Sequence, residues 1–199
     1  MQLPLNYRVL GLDLSLKCAG WSIVDVKGDK LKLVDYGYID TGGFSEHGQA
    51  LIHIEKVLQK VMNQYSPSYT AVEQMFVSSN RDTAMKLAQI HGIALLLCAK
   101  QNIPVTYYAV MTAKSVSLEG SLKLVKEDKT RKTGEELKDE VKRKMIEVFG
   151  INSFIKDFNN DVTDSISMAY TFYKMKGMTP EKSPKKRKTT KKKSVKDKK

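Results

Sequence analysis

The first apolar run of the sequence, residues 7–14, contains one carboxylate, Asp13. Burying an unpaired charge within such a strand is costly. A carboxylate in this position is therefore normally compensated by a hydrogen-bonding network or by a metal ion. The simpler alternative is an aspartate at the end of a strand that caps a turn.

Three further carboxylates occur where a predicted strand ends or a predicted helix begins. Glu73 closes a short apolar strand over 69–73. Asp161 and Asp164 lie three residues apart at the start of the last helix, so they share one face of that helix. Because the helix is apolar on both sides, we expect the pair to point into the protein. The alternative is that the two acids complement the helix dipole in its first turn.

If these four carboxylates meet, the cluster would repel itself unless cations filled it. Ligands that are all carboxylate oxygens suit Mg²⁺ or Mn²⁺ rather than zinc. Two such ions, about 4 Å apart, activate water on one side of a phosphodiester and stabilise the leaving oxygen on the other. We therefore expect two Mg²⁺ ions per active site, with Mn²⁺ able to substitute.

The hydrophobic pattern predicts the elements that carry these residues. Three adjacent antiparallel strands open the chain, and a helix, a strand, a second helix and a fifth strand follow. Helical periodicity then returns over about 135–149 and again from about residue 160, where Asn160 or Asp161 is the predicted cap. This order predicts an α/β protein with a five-stranded mixed sheet flanked by helices.

The positive charge of the chain is concentrated at its carboxyl end. The formal net charge is +12, and residues 182–199 contribute +10 of it through ten lysines, one arginine and one aspartate. We predict a folded domain over 1–177, with a mobile basic loop at about 119–134, and a disordered Lys-rich tail over 178–199. Such a tail suits a DNA backbone, although a solubilising role is the simpler alternative.

Targeting signals and cysteines point to a protein that works inside the cell. We find neither a secretory signal nor an apolar run long enough to span a membrane. Cys18 and Cys98 lack metal-type spacing, so free thiols are expected. The expected location is the cytoplasm, in association with DNA. In a eukaryotic host, residues 184–188 would also pass as a nuclear import signal.

Three short motifs resemble the RuvC-type Holliday-junction resolvases, which have the ribonuclease H-like fold. They are Gly-Leu-Asp-Leu-Ser with Gly-Trp at 11–21, Ala-Val-Glu-Gln-Met-Phe at 71–76, and Asn-Asp-Val-Thr-Asp-Ser at 160–165. They stand in the order of the family, and the similarity extends over roughly 7–175. The basic additions to the chain are more typical of phage or mobile-element members.

The resemblance implies a set of functional residues. The four metal-binding carboxylates of the family fall on Asp13, Glu73, Asp161 and Asp164. The aromatic residue that contacts the junction falls on Phe76, for which core packing is the alternative, and two functional lysines fall on Lys114 and Lys138. We predict further DNA contacts at the start of the second helix and in the tail: Arg81, Lys185, Lys186, Arg187 and Lys188. The chain departs from the family pattern at Ser15, Lys17 and His91.

These features predict a Mg²⁺-dependent endonuclease that cleaves four-way or other branched DNA, with water as the nucleophile. Because a junction has two-fold symmetry, paired nicks require two sites related by a dyad, so we expect a homodimer. One alternative is another ribonuclease H-like nuclease that acts on RNA–DNA hybrids or flaps. A second is a non-catalytic basic DNA-binding protein. A third, an actin-like sugar kinase, would require a longer chain and a second phosphate loop.

Overall fold

A five-stranded mixed sheet organises the chain, as the sequence predicts. The computed structural model describes residues 3–75, 80–120, 132–151 and 158–177. Phe76, the tail over 178–199 and most of the predicted basic loop lie outside these ranges. The strands are β1 (Asn6–Asp13), β2 (Cys18–Lys27), β3 (Lys30–Asp40), β4 (Tyr69–Glu73) and β5 (Val105–Tyr108). The helices are α1 (His47–Tyr65), α2 (Arg81–Lys100), α3 (Val110–Ser117), α4 (Gly134–Phe149) and α5 (Asn160–Lys174).

The strand order is β3-β2-β1-β4-β5. β1, β2 and β3 pair in antiparallel fashion, whereas β4 and β5 run parallel to β1. The parallel pairs arise because a helix crosses between the strands, as the helix–strand–helix–strand order predicts. Since β3 is antiparallel to β2, it also runs in the direction of β1. The carboxyl ends of β1, β3, β4 and β5 therefore share one edge of the sheet, which we call the carboxyl edge.

The two faces of the sheet carry separate apolar cores. Side chains that alternate along β1 divide between them: Leu10 and Leu12 pack with α1 and α2, whereas Val9 packs on the other face with α5. α5 is buried on nearly all sides, since every residue from Ser165 to Phe172 is buried. A third cluster joins the outer side of α5 to α4. The prediction that α5 is covered on both sides is therefore confirmed.

Glycines allow α5 to lie directly against the sheet. A Cβ atom on Gly20 would lie 2.0 Å from the carbonyl oxygen of Asp161, and one on Gly11 would lie 2.1 Å from that of Ser165. Real Cβ atoms do not approach backbone atoms so closely. The small residues at these two positions therefore fix the distance between the sheet and the helix that carries Asp161 and Asp164.

Several boundaries differ from the sequence prediction. α3 was not predicted, because its eight residues are too few to establish a periodicity. The cap of α5 is Asn159 rather than Asn160 or Asp161, and its side chain accepts a hydrogen bond from the Val162 amide at 2.9 Å. α4 begins at a capping box formed by Thr133 and Glu136.

Both cysteines are free thiols, as predicted. In the part of the chain that the structure describes, no helix is long and apolar enough to cross a membrane.

Candidate active site

Asp13 and Glu73 lie side by side at the carboxyl edge. Each is the last residue of its strand, and the parallel register pairs Leu12 with Val72, the residues just before them. Neighbouring strands are about 4.8 Å apart. Because side chains alternate along a strand, Asp13 lies on the face of Val9, and Glu73 on the face of Tyr69. Both belong to the face that α5 covers.

α5 brings the other two carboxylates to the same place. Its amino-terminal turn rests on Gly20, which pairs with Asp13 across β1 and β2. Asp161 lies in this first turn, and Asp164 follows on the same side of the helix. The Asp164 side chain is only 14% exposed. The sheet register and the glycine contact thus place all four carboxylates around one end of β1.

Burial is the largest cause of the raised pKa values at Asp13, Glu73 and Asp164. Burial, followed by the charges of Glu73, Asp164 and Asp161, raises the pKa of Asp13 to about 8. Burial and the charge of Asp164 raise the pKa of Glu73 to about 7. Burial also raises the pKa of Asp164, although two lysines oppose that effect. These four residues therefore act on one another as a single electrostatic cluster.

Lys114 and Lys138, the two lysines that the family resemblance indicates, lie beside the carboxylates. The Lys138 ammonium is 3.6 Å from an Asp164 carboxylate oxygen, and its side chain is 41% exposed. The positive charge of Lys114, on α3, partly opposes the rise in the pKa values of Glu73 and Asp164. A hydrogen bond of 2.6 Å between Ser117 and Ser167 fastens α3 to α5. The helix that the sequence did not reveal is thus the one that positions Lys114.

Cys18 is a neighbour of the site that sequence reasoning missed. Its thiol lies near the Asp161 carboxylate and accepts a hydrogen bond from the side-chain amide of Asn159 at 3.7 Å. Burial, followed by the nearby Asp161 carboxylate, raises the pKa of this thiol to about 12. No local pattern indicates this neighbour, because Cys18 and Asp161 are more than 140 positions apart in the sequence.

The chemistry of the donor set fits a hard divalent cation. Within the described ranges, no three acidic, histidine or cysteine side chains form a ready-made metal cage. Four carboxylates nevertheless gather at one edge of the sheet, where burial raises the pKa values of Asp13, Glu73 and Asp164. Oxygen ligands of this kind prefer Mg²⁺ or Mn²⁺. The residues present therefore fit the predicted metal, and the ligand set itself remains a prediction.

Metal binding should depend strongly on pH. A cation requires ionised ligands, so binding to the predicted ligands would displace protons from Asp13 and Glu73, whose pKa values are about 8 and about 7. We expect Mn²⁺ affinity to rise roughly 500-fold from pH 6 to pH 8, as both groups ionise, and to level off above that. Titration calorimetry in two buffers of different ionisation enthalpy would measure both the affinity and the protons released. An affinity that stays constant across this range would contradict the pKa shifts.

The remaining predicted DNA contacts lie apart from the carboxylates or beyond the described residues. Arg81 is exposed at the start of α2. Phe76 and the basic tail residues lie outside the described ranges. Two of the residues that depart from the family pattern have different surroundings. Lys17 is exposed in the loop after β1, whereas the ring of His91 stacks on that of Tyr107, with centroids 6.5 Å apart.

Comparison with solved structures defines the class of the fold. The chain of Thermus thermophilus RuvC, solved in complex with a Holliday junction substrate, superposes with a TM-score of 0.68 at 19% identity, covering 85% of this chain and 97% of that one. The yeast mitochondrial Holliday junction resolvase Ydc2 gives a TM-score of 0.59 at 14% identity, covering 86% of this chain and 79% of that one. The fold is therefore the ribonuclease H-like fold of this structural class.

Sequence comparison defines the family. The family model described as crossover junction endodeoxyribonuclease RuvC matches residues 9–171, so the chain belongs to the RuvC family. This is a family of metal-dependent nucleases. The RuvC protein of Gluconobacter oxydans is 37% identical over 107 residues, which are 54% of this chain and 64% of that protein. The chain thus spans somewhat less than two thirds of the length of this relative.

Proposed function

We propose that the protein is a Mg²⁺-dependent endonuclease that resolves four-way DNA junctions. The observation that carries this proposal is the match of the RuvC family model to residues 9–171, a span that contains all four clustered carboxylates. The named relatives are crossover junction endodeoxyribonucleases, and one solved neighbour was captured with a Holliday junction. The burial and charge of the site support a role that requires a cation.

The proposed reaction is hydrolysis of one phosphodiester bond in each of two strands. Asp13, Glu73, Asp161 and Asp164 would hold two Mg²⁺ ions, and Mn²⁺ could replace them. When bound, the metal supplies Lewis-acid stabilisation and lowers the pKa of water. Water attacks phosphorus in line, the bond to the 3′ oxygen breaks, and a proton passes from water to that oxygen. The products are 5′-phosphate and 3′-hydroxyl ends. Lys114 would stabilise the additional negative charge on the phosphate.

Lys138 should contribute to the chemical step. Its exposed ammonium lies 3.6 Å from Asp164, so it can contact a phosphate bound at the carboxylates. We expect Lys138→Gln to lower the single-turnover cleavage rate by about 10–100-fold, with a much smaller loss of junction affinity. Lys144→Gln is the matched control, because Lys144 on the same helix pairs with Glu119 and Glu147 instead. Equal losses in both variants would contradict a specific role for Lys138.

A substrate panel tests the proposed function. The full chain is incubated in Mg²⁺ with a four-way junction, a linear duplex, a flap and an RNA–DNA hybrid, each labelled on one strand at a time. We expect paired, symmetric nicks in the four-way junction and little cleavage of the other substrates. Preferential cleavage of hybrids or flaps would show that the proposed substrate is wrong, while the proposed active site would stand. Binding without cleavage in Mg²⁺ and in Mn²⁺ would favour a non-catalytic DNA-binding protein.

We further propose a homodimer that forms through the exposed side of α2. Met85, Ala88, Gly92 and Leu96 recur at intervals of three or four residues and therefore lie on one side of the helix. Met85 is 66% exposed and Leu96 is 55% exposed, which is unusual for large apolar side chains. The small residues between them would let a second α2 approach closely. Two sites related by a dyad would then match the symmetry of a junction.

A charged residue within this stripe should separate the dimer. We expect Leu96→Lys to produce a monomer in sedimentation equilibrium and to lose paired cleavage, because the interface would bury an unpaired charge. Ile52→Lys is the control, since Ile52 is a similarly exposed apolar residue on α1. A wild-type monomer at all concentrations tested, or dimers in both variants, would refute this interface.

The remaining predicted contacts extend the DNA-binding surface. Arg81, exposed at the start of α2, would contact a DNA backbone, and Phe76 would contact the junction near its crossover. The basic tail would add affinity that falls with salt and carries no sequence preference. Its contacts would come from Lys185, Lys186, Arg187 and Lys188. These contacts would keep the protein associated with DNA in the cytoplasm.

A further inference from the structure

A groove of about 280 Å³ opens at the carboxyl edge on the side of α1 and α2, opposite the face that α5 covers. Its walls include the loop after β1, the segment after β3 and the first turns of α2. The two strand-end segments meet there because β1 and β3 run in the same direction. Neither the carboxylates nor the two site lysines line this groove, so it is a separate feature of the same edge.

The groove combines two cations with an exposed aromatic ring. Lys17, Lys86, His47 and Phe44 contribute to its lining, and none of the described residues that line it is acidic. Phe44 is 42% exposed. The ring of Phe44 lies 5.2 Å from that of His53, so a neighbour already supports it. Positive charge beside an exposed apolar ring suits a nucleic-acid backbone, which offers phosphates and the apolar face of a sugar.

Hydrogen bonds fix the shape of this groove before any ligand binds. The buried Thr41 hydroxyl donates to the Leu16 carbonyl at 2.7 Å, and the Thr41 amide donates to the Lys17 carbonyl at 2.8 Å. His47 is engaged with Gln89 at 2.8 Å, which joins α1 to α2. The groove therefore has an ordered floor, whereas its lysine side chains can move toward a ligand.

Lys86 can exchange its present partner for a phosphate. Its ammonium is 2.8 Å from Asp82 one helical turn earlier, and both side chains are largely exposed. Exposed ion pairs of this kind contribute little to the stability of the fold. A phosphate that offers several charged oxygens is therefore a competitive partner for Lys86.

The groove lies within a few nucleotides of the carboxylates. Lys17 follows Asp13 by four residues, so their Cα atoms are at most about 14 Å apart. The thiol of the next residue, Cys18, lies near the Asp161 carboxylate. Because successive phosphates of one strand rise by about 3.4 Å along a duplex, a strand that left the active site toward the groove would reach it within about four nucleotides.

We propose that this groove binds the sugar-phosphate backbone of the DNA arm that leaves the active site on the α1 and α2 side. Phosphate oxygens accept hydrogen bonds from Lys17 and Lys86, and a deoxyribose packs against Phe44. This inference rests on the proposed junction-resolving function and adds a second contact surface to it. Lysines would then hold the DNA on both faces of the sheet: Lys114 and Lys138 on one, Lys17 and Lys86 on the other.

Binding of a labelled four-way junction in EDTA, over a range of salt concentrations, separates the two parts of the proposal. We expect Lys17→Gln/Lys86→Gln to weaken binding about 10-fold and to reduce the slope of log affinity against log salt by about 1–2. Phe44→Ala should weaken binding about 3–10-fold and leave the slope unchanged, because it removes no charge. Lys56→Gln/Lys60→Gln on the exposed side of α1 is the control and should leave both quantities unchanged.

Uncharged methylphosphonates in place of single phosphates locate the part of the DNA that the groove contacts. Methylphosphonate groups are placed singly at successive positions on either side of the scissile bond. Wild-type binding should weaken at one or two positions within about four nucleotides of that bond, and the lysine double variant should lose this sensitivity. Sensitivity that is identical in both proteins, or unchanged affinity in both groove variants, would overturn the proposal. Wild-type protein that binds but never cleaves would instead refute the proposed function, and the binding comparison would still decide the groove.

Discussion

Replacing Asp13 with asparagine should abolish junction cleavage while junction binding persists. We expect single-turnover cleavage in Mg²⁺ to fall on the order of 1,000-fold or more, because the variant loses an anionic metal ligand at the centre of the cluster. The change is nearly isosteric, so the sheet register and the position of α5 are retained. Mn²⁺ affinity, measured by calorimetry, should fall together with the rate.

The same substitution should stabilise the metal-free protein. Burial and three neighbouring carboxylates raise the pKa of Asp13 to about 8. A carboxyl group whose pKa is raised on folding stabilises the fold fully at low pH, and this stabilisation is lost as the pH rises through the folded pKa. Asparagine does not ionise, so the variant avoids the cost of a buried negative charge at position 13. Its free energy of unfolding at pH 8 in EDTA should therefore exceed that of the wild type by roughly 1–3 kcal/mol.

Asp29→Asn provides the matched control for Asp13→Asn. Asp29 is exposed in the turn between β2 and β3, far along the sheet from the carboxyl edge. Its replacement should change neither cleavage nor stability appreciably. An Asp13→Asn protein that cleaves junctions at the wild-type rate would show that the carboxyl cluster does not perform the chemistry. Loss of binding together with cleavage would indicate a damaged fold instead.

Adding one methyl group at Gly20 should also disable the protein, although this residue carries no functional group. The Cβ atom of Gly20→Ala would lie 2.0 Å from the Asp161 carbonyl oxygen and 2.9 Å from the Val162 amide nitrogen. Backbone atoms cannot rotate away as a side chain can, so the amino-terminal turn of α5 must move. We expect a loss of about 1–3 kcal/mol in the free energy of unfolding.

Cleavage by Gly20→Ala should fall on the order of 100-fold, because small displacements of catalytic groups are costly. Gly48→Ala is the control: Gly48 lies within α1, and a Cβ atom there would meet nothing within 4 Å. That variant should be unchanged or slightly stabilised. Thermal melts and single-turnover cleavage of the three proteins measure both effects. If Gly20→Ala kept wild-type activity, the contact between α5 and β2 would not position Asp161.

Local patterns are sufficient to predict the five strands and the positions of Asp13 and Glu73 at strand ends. Glu73 lies at the exact end of β4, as the apolar run over 69–73 indicated. The strand order places Asp13 beside it because two parallel strands in register end at one edge. The strands themselves follow from periodicity, which is a local property of a sequence, whereas the pairing of β1 with β4 joins distant segments.

Contacts between distant segments could not be predicted in the same way. α3 is too short for a periodic signal, yet it positions Lys114, because a hydrogen bond between Ser117 and Ser167 holds α3 against α5. Cys18 meets Asp161 only after β2 and α5 have packed together. The requirement for glycine at position 20 also arises from that packing, and nothing in the local sequence specifies which surface will approach it.

Diffraction from crystals of the active protein soaked in Mn²⁺, recorded at a wavelength where manganese scatters anomalously, tests the central claim most directly. The account predicts anomalous density at the carboxyl edge, in contact with Asp13 and with at least one of Asp161 and Asp164. The density should be absent from crystals of Asp13→Asn. Bound manganese elsewhere in the protein, with none among these carboxylates in crystals that retain cleavage activity when dissolved, would contradict it.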